Sequence, residues 1–143
     1  MTSPVDELDL LVESARDRNL TPRQLLDLQL EISALRYTVG NLLTNAEGRY
    51  LSEKDRVELA TIRAKLTLQG QNTKLSGAKA SDMVENETST EVMRQKLVQA
   101  KIEYSGLKNR IDNSRDVLVS LAQRVKRAES EEMEARMQQK HGT

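Results

Sequence analysis

Eleven residues in the C-terminal half of the chain recur in alternating steps of four and three: Met93, Leu97, Ala100, Tyr104, Leu107, Ile111, Ser114, Leu118, Leu121, Val125 and Ala128. A period of about 3.5 residues lines them up along one side of an α-helix, whereas a strand would scatter them over both faces. No proline interrupts the run, and its one glycine, Gly106, falls at an outward position. The spacing predicts one helix from about 83 to about 137, roughly 80 Å long at 1.5 Å per residue. A rod of that length exceeds the core that 143 residues can wrap around it. Composition sharpens the point, because Phe and Trp are absent and Tyr37, Tyr50 and Tyr104 are the only aromatics. Aromatic side chains usually dominate a compact core. The expected architecture is therefore all-α: an elongated helical bundle or coiled-coil protomer that completes its core as a homo-oligomer. Leu97, Tyr104, Leu107, Ile111, Leu118, Leu121 and Val125 are the expected oligomerisation residues.

Upstream, helix starts can be read from capping chemistry. Ser3-Pro4, followed by Asp6 and Glu7, offers a capping hydroxyl, a proline in the first turn and acids at the positive end of the helix dipole. Val5, Leu8, Leu11, Val12 and Ala15 then form a short apolar stripe that ends at Asn19-Leu20. Residues 1–19 hold five acids against two bases, net −3, and are expected to be a short helix or a solvated acidic arm. Thr21-Pro22-Arg23-Gln24 reads as a capping box. Behind it Leu25, Leu28, Ile32, Leu35, Val39, Leu42 and Ala46 form a second heptad seam. Asn45–Tyr50, containing Gly48, is expected to turn, and Ser52 with Asp55 to cap a third helix carrying Leu59, Ile62 and Leu66. Residues 70–82, with two glycines, two serines and Leu75 as the one large apolar side chain, are expected to be a flexible loop. The domain reading is thus an arm over 1–19, a helical domain over 20–128 and a charged tail over 129–143.

Several function classes fall away. Without cysteine there is no disulfide framework, zinc-ribbon pattern or thiol nucleophile. His141, the single histidine, lies in the tail and is expected to be solvated. No apolar run approaches the ~20 residues of a membrane span, and Asp6, Glu7 and Asp9 occupy the place of a basic leader region. No phosphate-binding glycine motif is present. The expectation is a cytoplasmic non-enzyme with no cofactor, no metal and no membrane.

Charge is segregated although 22 bases and 22 acids cancel. Residues 92–128 carry nine bases and three acids, net +6, and residues 51–80 carry six and three, net +3. Acids gather at the N-terminus, in 82–91 and at Glu129, Glu131, Glu132 and Glu134. Such a pattern suits either the flanks of a coiled coil or a sequence-neutral surface for a phosphate backbone.

The order of these features, an acidic element, a Leu-rich helix, a shorter basic helix, a Gly-rich loop and a long C-terminal helix, resembles the UvsY family of phage recombination mediators. The local match is Ala60-Thr61-Ile62-Arg63-Ala64-Lys65-Leu66 running into Gly70, with Ala100–Ile111 suiting the family's Tyr-containing C-terminal helix. The resemblance implies a homo-oligomer in the host cytoplasm that binds single-stranded DNA during DNA recombination. Its protein partners would be a recombinase and a single-strand-binding protein. It also implies Arg63 and Lys65 as phosphate contacts; loop charge adds Lys74 and Lys79. Arg63 and Lys65 project about 200° apart on a helix, so one flat partner cannot meet both. A second likeness, Leu20-Thr21-Pro22 with Leu25, Leu26, Leu28 and Gln29, is to the helical segment of type III secretion inner-rod proteins. A helical virion assembly or scaffold protein is the third expectation.

Overall fold

The computed structural model describes residues 2–71, 76–85 and 87–141. Four helices follow one another: α1 over Pro4–Ser14, α2 over Pro22–Gln71, α3 over Gly77–Glu85 and α4 over Thr88–His141. No strand occurs among the described residues. The contacts divide the chain into two units, Met1–Leu42 with Leu107–Thr143, and Leu43–Gly106.

The capping chemistry acts as expected at the starts of α1 and α2, and a cap that was not expected opens α3. Ser3 Oγ accepts from the Asp6 amide at 3.2 Å and begins α1. Thr21 and Gln24 close the capping box in both directions, the Gln24 amide donating to Thr21 Oγ1 at 3.2 Å and the Thr21 amide to Gln24 Oε1 at 2.8 Å. Ser76 accepts from the Lys79 amide at the start of α3. Each such bond satisfies an amide that the first helical turn would otherwise leave unpaired.

In the first unit three helical segments share one core. Leu8 and Val12 of α1 with Ala15 at its C-cap, Leu25, Leu28, Ile32 and Val39 of α2, and Leu107 and Leu121 of α4 are buried, Ile32 completely. α1 is therefore a packed helix and not a solvated arm; its apolar stripe outweighs its acids. Asp9 pairs with Arg110 at 3.1 Å. Arg124 donates to the carbonyls of Ala15 (2.7 Å) and Asp17 (2.6 Å). A cation there meets the negative end of the α1 dipole and closes the α1–α2 turn. Ser114, the polar member of the α4 seam, is fully buried and satisfied. Its hydroxyl accepts from Arg36 Nε at 2.9 Å and donates to the Ile111 carbonyl at 2.7 Å.

Three expectations are corrected. The turn at 45–50 and the helix start at Ser52 do not exist, because α2 is unbroken from Pro22 to Gln71. Gly48 has a negative φ and open space where a Cβ would stand, so nothing about it requires a turn. Much of the 70–82 loop is helical: residues 70–71 end α2 and Gly77–Glu85 form α3, which buries Ala80 and Val84. Residues 72–75 lie outside the described residues. The long C-terminal helix starts at Thr88 instead of about 83 and takes in the expected tail as far as His141.

Candidate functional site

In the Leu43–Gly106 unit the heptad register of α2 continues beyond Ala46 through Tyr50, Glu53, Val57, Ala60 and Ala64, all half-buried except for the fully buried Ala46. Tyr50 stacks on Tyr104 of α4, with ring centroids 5.7 Å apart and planes 3° from parallel. Beside the stack, Arg49 bonds Glu103 at 2.7 Å. After the Tyr50 stack the inward face of this helical stretch narrows to Val57, Ala60 and Ala64. Leu59 lies thirteen residues after Ala46, which is about 220° around a helix at 3.6 residues per turn. Leu51, Leu59, Ile62 and Leu66 consequently face away from the packed side, and all are exposed, from Leu51 at 49% to Leu66 at 62%. This change of apolar phase is what mimics a turn in the sequence.

Charged residues border the outward stripe. Arg56 and Arg63 lie along one edge, Glu58 and Lys65 along the other, by helical angle. Asp55 interrupts the stripe between Leu51 and Leu59. Next to the Arg56 edge an open groove runs between α2 and α4, lined by Ser52, Glu53 and Arg56 on one side and Val92, Val98 and Ile102 on the other. Glu53 Oε1 stands 3.5 Å from Arg56 Nη1, while its buried Oε2 has no hydrogen-bond partner among the described residues.

The sequence-predicted cations are separated. Arg63 is exposed, its carbonyl accepts from the Thr67 hydroxyl at 2.8 Å, and its guanidinium has no ion pair among the described residues. Lys65, on the opposite edge, is half-buried against α3: a Cβ on Gly77 would sit 3.6 Å from its Nζ. Lys79 is exposed on α3, a helix where a loop was expected. Lys74 lies outside the described residues. Of the α4 bases, Arg110 and Arg124 serve the packing of α1, and Arg115 pairs with Asp112. Arg94, Lys96 and Lys101 in the second unit form no ion pair among the described residues.

The predicted oligomerisation residues face their own chain. Leu107 and Leu121 are buried in the first unit's core, with Ile111, Leu118 and Val125 half-buried in the same register. Leu97 and Tyr104 are half-buried in the second unit. Of the α4 seam, Leu107, Ser114 and Leu121 are buried by their own chain and the other members are half-buried. The outward α2 stripe was legible as apolar spacing but not as a surface.

Among the described residues no three His, Asp or Glu side chains converge as metal ligands, and no helix is long and apolar enough to cross a membrane. No family model, no curated protein and no solved structure matches the chain.

Proposed function

We propose that the protein is a non-enzymatic helical assembly protein that works as a homo-oligomer through the outward face of α2. The observation that carries this reading is the inversion of α2 in the second unit, where Leu59, Ile62 and Leu66 face solvent and Ala60 and Ala64 face inward. Leaving several large aliphatic side chains half exposed in one stripe forgoes burial worth about 1.5–3 kcal/mol for each fully covered side chain. Stripes of this kind mark protein contacts. A virion scaffold and a secretion-system rod are two settings for such a chain. Light scattering of the wild type at micromolar concentration, against Ile62→Asp, tests the reading. The wild type is expected above monomer mass and the variant at monomer mass with unchanged helix content. A monomeric wild type overturns it.

A second reading, binding of single-stranded DNA as a recombination mediator with a recombinase and a single-strand-binding protein, is favoured by cations of the same unit that form no ion pair among the described residues: Arg63, Lys79, Arg94, Lys96 and Lys101. Such binding would be sequence-neutral and salt-sensitive. Mobility shifts with single- and double-stranded oligonucleotides over a salt series check it. Arg63→Ala with Lys65→Ala is expected to weaken binding alike for all sequences and to flatten the salt dependence. Unchanged affinity and salt slope would remove both residues from the site.

A further inference from the structure

We infer that a second copy covers the α2 stripe as a parallel, in-register partner helix, with Glu58 of each copy bonded to Arg63 of the other. The inference rests on the assembly reading and specifies its geometry. In heptad terms Leu59 and Leu66 occupy a positions and Ile62 a d position, leaving Glu58 at g and Arg63 at the following e. Five residues separate Glu58 from Arg63. That is too far for the favoured pairing within one helix, which needs three or four. It is the offset at which g of one helix meets e of its neighbour in a parallel pair. Both side chains are exposed and neither has an ion pair among the described residues.

Orientation follows from the edges of the stripe. Antiparallel pairing sets like edges together, so Arg56 and Arg63 would meet the same edge of the partner. Parallel pairing sets the arginine edge against the edge that carries Glu58. Lys65 at the next g position faces Gly70 at e, which brings no opposing charge. Half-buried against α3, Lys65 leaves Leu66 open. Asp55, at the preceding d position, would meet its own counterpart across the interface. It therefore bounds the paired segment, which starts at Glu58 and ends near Gln69. So short a contact falls below the area of a standard stable interface, and a concentration-dependent dimer is expected.

The chain has no cysteine, so introduced thiols report the geometry without background. Ile62→Cys and Leu66→Cys, at exposed positions of the full chain, are each expected to give disulfide-linked dimers under mild oxidation. A two-fold antiparallel pair brings at most one position opposite itself. Glu58→Arg and Arg63→Glu should each raise the dimer dissociation constant several-fold, and the two together should restore it. Asp55→Leu should lower it. An oligomer by light scattering that neither cross-links at both positions nor recovers in the double reversal overturns this pairing and leaves the assembly reading standing. A wild type that stays monomeric overturns both.

Discussion

In the first unit α2 buries Leu25, Leu28, Ile32 and Val39 while Leu26, Leu30 and Leu42 stay exposed; in the second, Leu51, Leu59, Ile62 and Leu66 of the same helix are exposed and none of its large aliphatic side chains is fully buried. The inward set, Leu25, Leu28, Ile32 and Val39, is buried against α1 and α4. The outward set, Leu51, Leu59, Ile62 and Leu66, meets solvent, while Val57, Ala60 and Ala64 take the inward positions. One unit is a three-helix core closed by its own chain. The other packs in part on Ala46, Ala60 and Ala64, which bury little apolar area, and leaves Leu51, Leu59, Ile62 and Leu66 on the surface. A single helix can hold both arrangements because its heptad register never breaks while its apolar phase does.

The largest expected effect contrasts one residue type in the two settings. Ile32→Ala should cost about 2–5 kcal/mol, since it leaves a cavity in a closed core. Ile62→Ala, more than half exposed, should change monomer stability by less than about 1 kcal/mol. Urea unfolding of the two variants at low concentration measures the difference, and equal losses would erase the contrast. Next comes the clamp peculiar to the first unit. Arg124→Ala removes two bonds to the Ala15 and Asp17 carbonyls and should cost about 1.5–3 kcal/mol, as hydrogen bonds from charged groups do. The variant should also be cut faster by protease in 15–21. An unchanged digestion pattern would mean that the turn holds without the clamp. The smallest effect tests the continuity on which the comparison depends. Gly48→Ala should stabilise by about 0.5–1 kcal/mol, because Gly48 sits inside a helix with free space around it. A loss of stability, read as a lower melting temperature, would argue for a bend there.

Features set by near neighbours in the chain were legible. The Ser3 cap, the Thr21–Gln24 box, the seam from Leu25 to Ala46 and the long α4 each depend on residues a few positions apart. Features set by distant residues were not. Gly48 and the shifted stripe suggested a turn because a local window sees the phase change without the register that continues through Tyr50, Val57 and Ala60. α3 reads as a loop because Gly77 and Ser81 punctuate a stretch in which, among the described residues, only Ala80 and Val84 are buried. That α1 and α2 lie against the α4 seam is likewise not legible, because nothing near the seam in the sequence shows it. Charge counting over 92–128 overstates the available cations, since Arg110 reaches Asp9 of α1 and Arg124 the turn after it, each about a hundred positions away. At the site, Arg63 could be named from the sequence, but that neither it nor Glu58 forms an ion pair among the described residues is a tertiary fact.

The stack of Tyr50 on Tyr104 turns the poor aromatic content into an optical label. With no Trp or Phe, and Tyr37 largely solvent-exposed, the chiral near-ultraviolet absorption of the folded chain arises mainly from two parallel rings inside the second unit. The far-ultraviolet band, by contrast, sums over the helices of both. Melting followed at the two wavelengths therefore separates the units without any added dye. Tyrosine emission, with no indole to drain it by energy transfer, follows the second unit's rings as they part.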